Sequence, residues 1–246
     1  MRDWLIAECK KQTDSVSTQE FDHVWSYTQK SVKMYNVVAS MNFGAQKTVL
    51  LIAHWDTRPY ASEDPDPQNR SKPIIGANDG ASGVAVLLEL MRAFKLQKPK
   101  VNVTFLFTDG EDLGPELDEM FLGAKHFART MKASDFEYGI LLDMIGDKDL
   151  VVPKEPFSGQ YARSVQTRFY ANAQAIGLVK HFPNKDQGFI YDDHLALNEA
   201  GLPTIDLIDF TYEPWHTLAD TPDKCSADSL SAIGKAVESF IRVDFR

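Results

Sequence analysis

Five short polar segments place imidazole or carboxylate groups next to apolar runs. His54 and Asp56 follow the run TVLLIA at 48–53. Asp79 sits in the turn-like Asn78-Asp79-Gly80, just ahead of an apolar helical stretch. Asp109, Glu111 and Asp112 follow VNVTFLF at 101–107, and Asp143 lies inside GILLDMI at 139–145. His216 comes directly after Trp215, a short loop beyond PTIDLI at 203–208. Histidine with Asp and Glu, and no cysteine nearby, is a nitrogen–oxygen ligand set suited to zinc. A catalytic zinc takes three protein ligands and keeps one position open. Adjacent carboxylates such as Glu111-Asp112 can divide the work, one binding metal and the other carrying protons.

Each piece has a plainer reading when taken singly. Asp79 suits a turn and helix cap. The segment 109–112 reads as a solvated acidic loop, and either histidine as an ordinary hydrogen-bonded one. Asp143 is harder to dismiss, because a carboxylate in an apolar strand is costly to bury without a cation or hydrogen-bond partner. It is their convergence that points to a site.

That convergence depends on the elements carrying them. The apolar runs 48–53, 101–107, 139–145 and 203–208 read as strands buried on both faces. Residues 82–94, 115–131, 160–176 and 226–241 read as helices between or after them, the last with Ser226 as N-cap. Residues 3–12 show helical spacing, while 18–28 and 32–40 are rich in β-branched and aromatic residues and read as strands. Prolines 65, 67 and 73 exclude regular structure from the long segment 55–78, and its part 60–75 is expected to border the site. Alternating strands and helices predict an α/β fold: one domain over 1–246, with a mostly parallel central sheet covered by helices on both faces. Ligands of such sheets bind beyond the carboxyl ends of the strands, where these polar segments fall.

The bulk properties remove other classes. A net charge of −9 disfavours nucleic acid as partner. No apolar run approaches the roughly 20 residues of a membrane span. Cys9 and Cys225 form no CxxC pair; a single long-range bridge or two free thiols would fit, and packed or idle thiols are the plainer reading. There is no GxSxG, no GxGxxG after a strand, no GxxxxGK[ST] and no HExxH, so nucleophile-elbow, nucleotide-cradle and HExxH chemistries are not indicated. Residues 1–4 lead straight into an amphipathic stretch, so no secretion signal is read there.

Taken in order, AHWDTRP (53–59), GANDGASGVAVLLEL (76–90), FTDGEDLG (107–114), LLDMIGD (141–147) and PWHTLADT (214–221) resemble the M28 family of zinc peptidases and glutaminyl cyclases. Asp192-Asp193-His194 followed by Gly201-Leu202-Pro203, and Trp215 before His216, look like the cyclase branch. The resemblance implies one zinc per chain, held by Asp79, Asp112 and His216. It implies cyclisation of an N-terminal glutamine to pyroglutamate, with Glu111 as proton shuttle and Asp143 and Asp192 as a proton-sharing pair. Trp215, Trp55 and Phe121 are the expected pocket residues. Phe121 and Met120 lie where similar cyclases carry a tryptophan. The partners implied are peptides or proteins beginning with glutamine, acted on by a monomer, periplasmic or secreted if a signal lies upstream. In the alternative, a two-zinc aminopeptidase, His54 and Asp143 would hold a second metal.

Overall fold

The computed structural model describes residues 1–245. Its centre is a six-stranded sheet in the order β1-β2-β4-β3-β5-β6. β3 (Thr48–His54), β4 (Asn102–Thr108), β5 (Gly139–Asp143) and β6 (Thr204–Ile208) are the four apolar runs, and they pair in parallel. β1 (Ser15–Trp25) and β2 (Lys30–Met41) form a hairpin that joins β4 antiparallel, so the sheet is mixed. The parallel part holds the chemistry, and the hairpin extends the sheet on one side.

The reason for continuous apolar runs is visible in β3. Val49, Leu51 and Ala53 face the larger core, while Leu50 and Ile52 face a second core on the other side. Period-two alternation with both faces covered leaves no position for a polar residue. On the first face lie α1 (Arg2–Gln12), α2 (Ala81–Leu96), α5 (Arg163–Ala175) and α7 (Ala227–Asp244), contributing Leu5, Phe94, Phe169 and Phe240. On the second lie α3 (Leu122–Thr130) and α6 (Asp193–Glu199), contributing Phe127 and Leu197. Ser226 caps α7 by accepting from the backbone N–H of Asp228.

Two local expectations change, and one short helix appears where none was expected. The helix expected over 115–131 starts only at Leu122. Before it, Phe121 takes the left-handed φ of 60°, and Phe121 and Leu122 donate back to the carbonyls of Glu111 and Gly110. Residues 115–121 therefore fold over the acidic pair as a flap. The helix expected over 160–176 begins at Arg163 and is preceded by α4 (Pro156–Tyr161), which Glu155 caps through the N–H groups of Phe157 and Ser158. At seven residues, α6 is too short to show a helical period in sequence.

The segment between β3 and α2 is irregular, as its prolines require. Asp64 is nearly buried in it and accepts from the N–H of Leu218, tying this segment to the loop that carries His216. Cys9 and Cys225 are both free thiols. Among the described residues, no helix is long and apolar enough to cross a membrane.

Candidate active site

The carboxyl ends of β3, β4 and β5 bring His54, Glu111, Asp112 and Asp143 together, and two loops add Asp79 and His216. Turn geometry fixes Asp79. Gly80 has φ 96°, and a Cβ there would come within 2.5 Å of the Asp56 carbonyl oxygen, so only glycine fits. The backbone on either side of the site is gripped by carboxylates from distant loops. Asp220 accepts from the N–H groups of Asn78 at 2.8 Å and Asp79 at 3.2 Å, and from the Tyr212 hydroxyl at 2.8 Å. Asp56 does the same for Glu111 at 3.2 Å and Asp112 at 3.1 Å. Neither was assigned a role from sequence. Both lie within the motif text, but what they hold is 55 and 142 residues away.

His216 Nε2 lies 3.0 Å from Asp112 Oδ1 and 3.3 Å from Asp79 Oδ2. One ligand atom from each of these three residues lies within 4.8 Å of the others, and all three are buried. Asp79 Oδ2 and Asp112 Oδ1 have no hydrogen-bond partner although no water reaches them. Two bare carboxylate oxygens converging on one imidazole nitrogen fit an ion that three protein ligands hold, which is the donor set of a catalytic zinc.

Electrostatics mark the same spot. Burial opposes a charge on His216, but Asp112 and Asp79 outweigh it and raise its pKa to about 9. Burial, with Asp79 alongside, pushes Asp112 up to about 6. Burial opposes ionisation of Asp79 as well, but the nearby imidazoles of His216 and His54 hold its pKa below the usual carboxylate range. Burial and then the neighbouring Asp112 push Glu111 well above it, which suits a group that must take up and return a proton near neutrality.

His54 is the hub beneath the site. Its Nε2 lies 3.0 Å from Asp143 Oδ1 and 3.2 Å from Asp79 Oδ1, and its Nδ1 lies 3.5 Å from Glu111 Oε2. It does not line the cavity above, whereas Asp79, Glu111, Asp112, Asp143, Asp192 and His216 do. Asp143 and Asp192 thus share a wall, and Asp143 helps burial to raise the Asp192 pKa well above normal. No hydrogen bond joins the two; the Asp143 carboxylate meets His54 instead.

The cavity is about 350 Å³, and its apolar walls include Phe121, Met144, Phe210 and Trp215. Trp215 stacks on His216 with ring centroids 3.8 Å apart. Phe121, Met144 and His216 all take left-handed φ between 45° and 60°, conformations that non-glycine residues hold only when the surroundings enforce them. Trp55 departs from expectation. Its indole donates to the Tyr35 carbonyl oxygen and packs against the main core, outside the cavity. In a strand the next residue points to the opposite side, and Trp55, continuing from β3, turns away from the site that His54 serves.

Residues 36–241 match the profile of peptidase family M28. The chain belongs to family M28. Among its relatives is the mouse glutaminyl-peptide cyclotransferase-like protein, 26% identical over 236 residues, covering 84% of this chain. The chain spans 59% of the length of that relative. Among solved structures, a glutaminyl cyclase of Bacteroides thetaiotaomicron bound to N-acetylhistamine superposes with TM-score 0.92 at 33% identity, covering 98% of this chain and 88% of that one. A leucine aminopeptidase precursor of the same organism superposes with TM-score 0.93 at 33% identity, covering 98% and 87%. Membership in M28, zinc-dependent exopeptidases among the structural neighbours and the ligand geometry agree on zinc as the metal.

Proposed function

We propose that this M28 protein is a glutaminyl cyclase that converts the N-terminal glutamine of peptides to pyroglutamate and releases ammonia, using one zinc per chain. The observation carrying the reading is that one metal-ligand triad, Asp79-Asp112-His216, faces the cavity beside Glu111, while His54 lies beneath it. The curated relatives named as glutaminyl-peptide cyclotransferases and the solved cyclases support it.

Zinc bound by Asp79, Asp112 and His216 would polarise the γ-carboxamide carbonyl of the substrate glutamine. The chain's own residues do the rest. Trp215 and Phe121 form apolar walls that position the side chain and exclude water. Holding the α-amine and the amide carbon of one residue in one small cavity makes the attack intramolecular, a large entropic advantage. Glu111 accepts the proton of the attacking amine and delivers it to the departing ammonia. Burial first and then Asp112, with smaller contributions from Asp192 and from Asp143, which His54 holds, keep the proton affinity of Glu111 high.

A two-zinc aminopeptidase is the second reading, and the closeness of His54, Asp79 and Glu111 favours it. Mass spectrometry of a glutamine-initiated peptide incubated with the zinc-loaded enzyme separates them. Loss of about 17 Da with the chain length intact is expected for cyclisation. Release of the whole first residue would overturn the proposal and give His54 and Asp143 a second metal.

A further inference from the structure

The β1-β2 hairpin is longer than its place in the sheet requires. β2 pairs with β4 only from Val37, opposite Phe107, to Met41, opposite Val103. Phe107 is one residue short of the carboxyl end of β4. Residues 30–36 of β2, paired with 19–25 of β1, therefore run on past the edge of the sheet where the active site lies. At about 3.3 Å per residue, that overhang is roughly 23 Å long. Its Trp25 and Met34 are buried with Leu113, and Phe21, Val32, Tyr60 and Leu122 pack around them. Leu113 and Leu122 flank the flap 115–121, so the hairpin grips the flap where it leaves the fold and where it rejoins it.

A polar contact fastens the middle. Residues 115–118 are exposed, yet Glu119 is only 5% exposed. A carboxylate is costly to bury without partners, and Glu119 finds them at the hairpin turn. Its Oε1 accepts from the backbone N–H of Ser26 at 2.6 Å, and its Oε2 accepts from the Ser26 hydroxyl at 2.6 Å. His23 Nε2 lies 3.3 Å from Oε1. Hydrogen bonds to a charged acceptor are stronger than neutral ones. Beside them, the Trp25 indole donates to the Gly114 carbonyl oxygen at 2.5 Å, and the Gly114 N–H donates to the Glu119 carbonyl oxygen. Glu119 does not line the cavity, but Pro115, Leu117, Met120 and Phe121 around it do. Phe121, two residues on, keeps its left-handed φ only because its surroundings enforce it.

We infer that Glu119 is a positioning residue: its carboxylate latches the flap to the hairpin turn and so sets Met120 and Phe121 as the wall against which a substrate's first residue packs. The inference rests on the cavity being the substrate site, which the cyclase and aminopeptidase readings share, and not on which product leaves. The latch acts on substrate binding and spares the metal, because Asp56 and Asp220, not the flap, hold the backbone of Asp112 and Asp79.

The test is steady-state kinetics of the zinc-loaded full chain on a glutamine-initiated peptide, with the product weighed in the same assay. Glu119→Ala should raise KM about tenfold, the effect of one lost charge-assisted bond. Its kcat should stay within about threefold, since only binding is altered, and its zinc content should not change. Glu119→Gln can still accept from the Ser26 N–H and donate to the hydroxyl, so its KM should lie within about threefold of the wild type. Adding Ser26→Ala to Glu119→Ala should cost nothing more, because both remove the same contact. A wild-type KM in Glu119→Ala, a Gln variant as impaired as the Ala variant, or losses that add in the double variant would each overturn the inference. The weighed product judges the cyclase reading separately: release of the whole first residue sinks that reading and leaves the KM comparison standing. Hydrogen exchange gives a readout that needs no turnover. The amides of Met120, Phe121 and Leu122, bonded within the flap and to the acidic pair's strand end, should lose protection in Glu119→Ala while those of β3 keep it. Unchanged protection there also overturns the latch. Should Glu119→Ala fail to fold, Ser26→Ala, altered only at an exposed turn position, must raise both KM and flap exchange, and wild-type values for both refute the inference.

Discussion

Replacing Asp220 by Asn tests the claim that remote carboxylates hold the metal ligands in place. In the wild type, its two oxygens accept from Asn78, Asp79 and Tyr212. Asn keeps the shape but turns one oxygen into an amino group. Whichever way the amide lies, at least one of the two buried backbone N–H groups then faces a donor. A buried donor left without an acceptor costs about 1–3 kcal/mol. The turn can escape that cost only by moving, and Asp79 moves with it. We therefore expect zinc to bind roughly 10- to 100-fold more weakly, the range for lost supporting contacts at metal sites and about 1.4–2.7 kcal/mol in free energy. The assay is competition for zinc with a chromogenic chelator. Asp223→Asn, an exposed neighbour on the same loop, is the control. If Asp220→Asn bound zinc within about twofold of the wild type, the positioning argument would be refuted.

Glu111→Gln should keep its zinc while kcat falls by about 10²- to 10⁴-fold, the usual loss for a general acid–base group; near-native turnover would remove it from the proton path. Trp215→Ala should raise KM by about tenfold or more through lost apolar contact, with kcat less affected; an unchanged KM would place the indole outside the substrate pocket. In the metal-free protein His216 titrates near 9, above its ordinary 6.5. A raised pKa stabilises the fold fully below about 6.5, and that contribution is lost as pH rises through about 9. The metal-free Tm should therefore fall across that window. Zinc binding at pH 7 must expel this proton, so calorimetry in buffers of different ionisation enthalpy should show proton uptake by buffer that fades above pH 9. Binding without proton release at pH 7 would mean His216 is neutral in the metal-free site.

Much of the scaffold was written locally. The four apolar runs became the parallel strands, because a strand covered on both faces leaves no polar position, and that constraint shows in any window of six residues. His54, Glu111 and Asp112 at the ends of such runs, with Asp79 ahead of an apolar helix, were legible for the same reason, and so was the choice of zinc, which depends only on ligand types. The flap at 115–121 and the split of the helix near residue 162 were not legible. Each is set by where a chain must turn to meet another segment: Phe121 folds back on Glu111, and Glu155 caps a helix that the apolar period alone runs together.

The residue types of the site, the strands that deliver them and the family resemblance are all properties of short contiguous stretches, and each could be read locally. Long-range packing set the rest: that Asp220 and Asp56 grip the ligand backbone, and that Trp55 faces the core while Trp215 stacks on His216. These are contacts between segments far apart in the chain, fixed by packing of the whole molecule, and no local pattern encodes which partner a buried polar atom will meet.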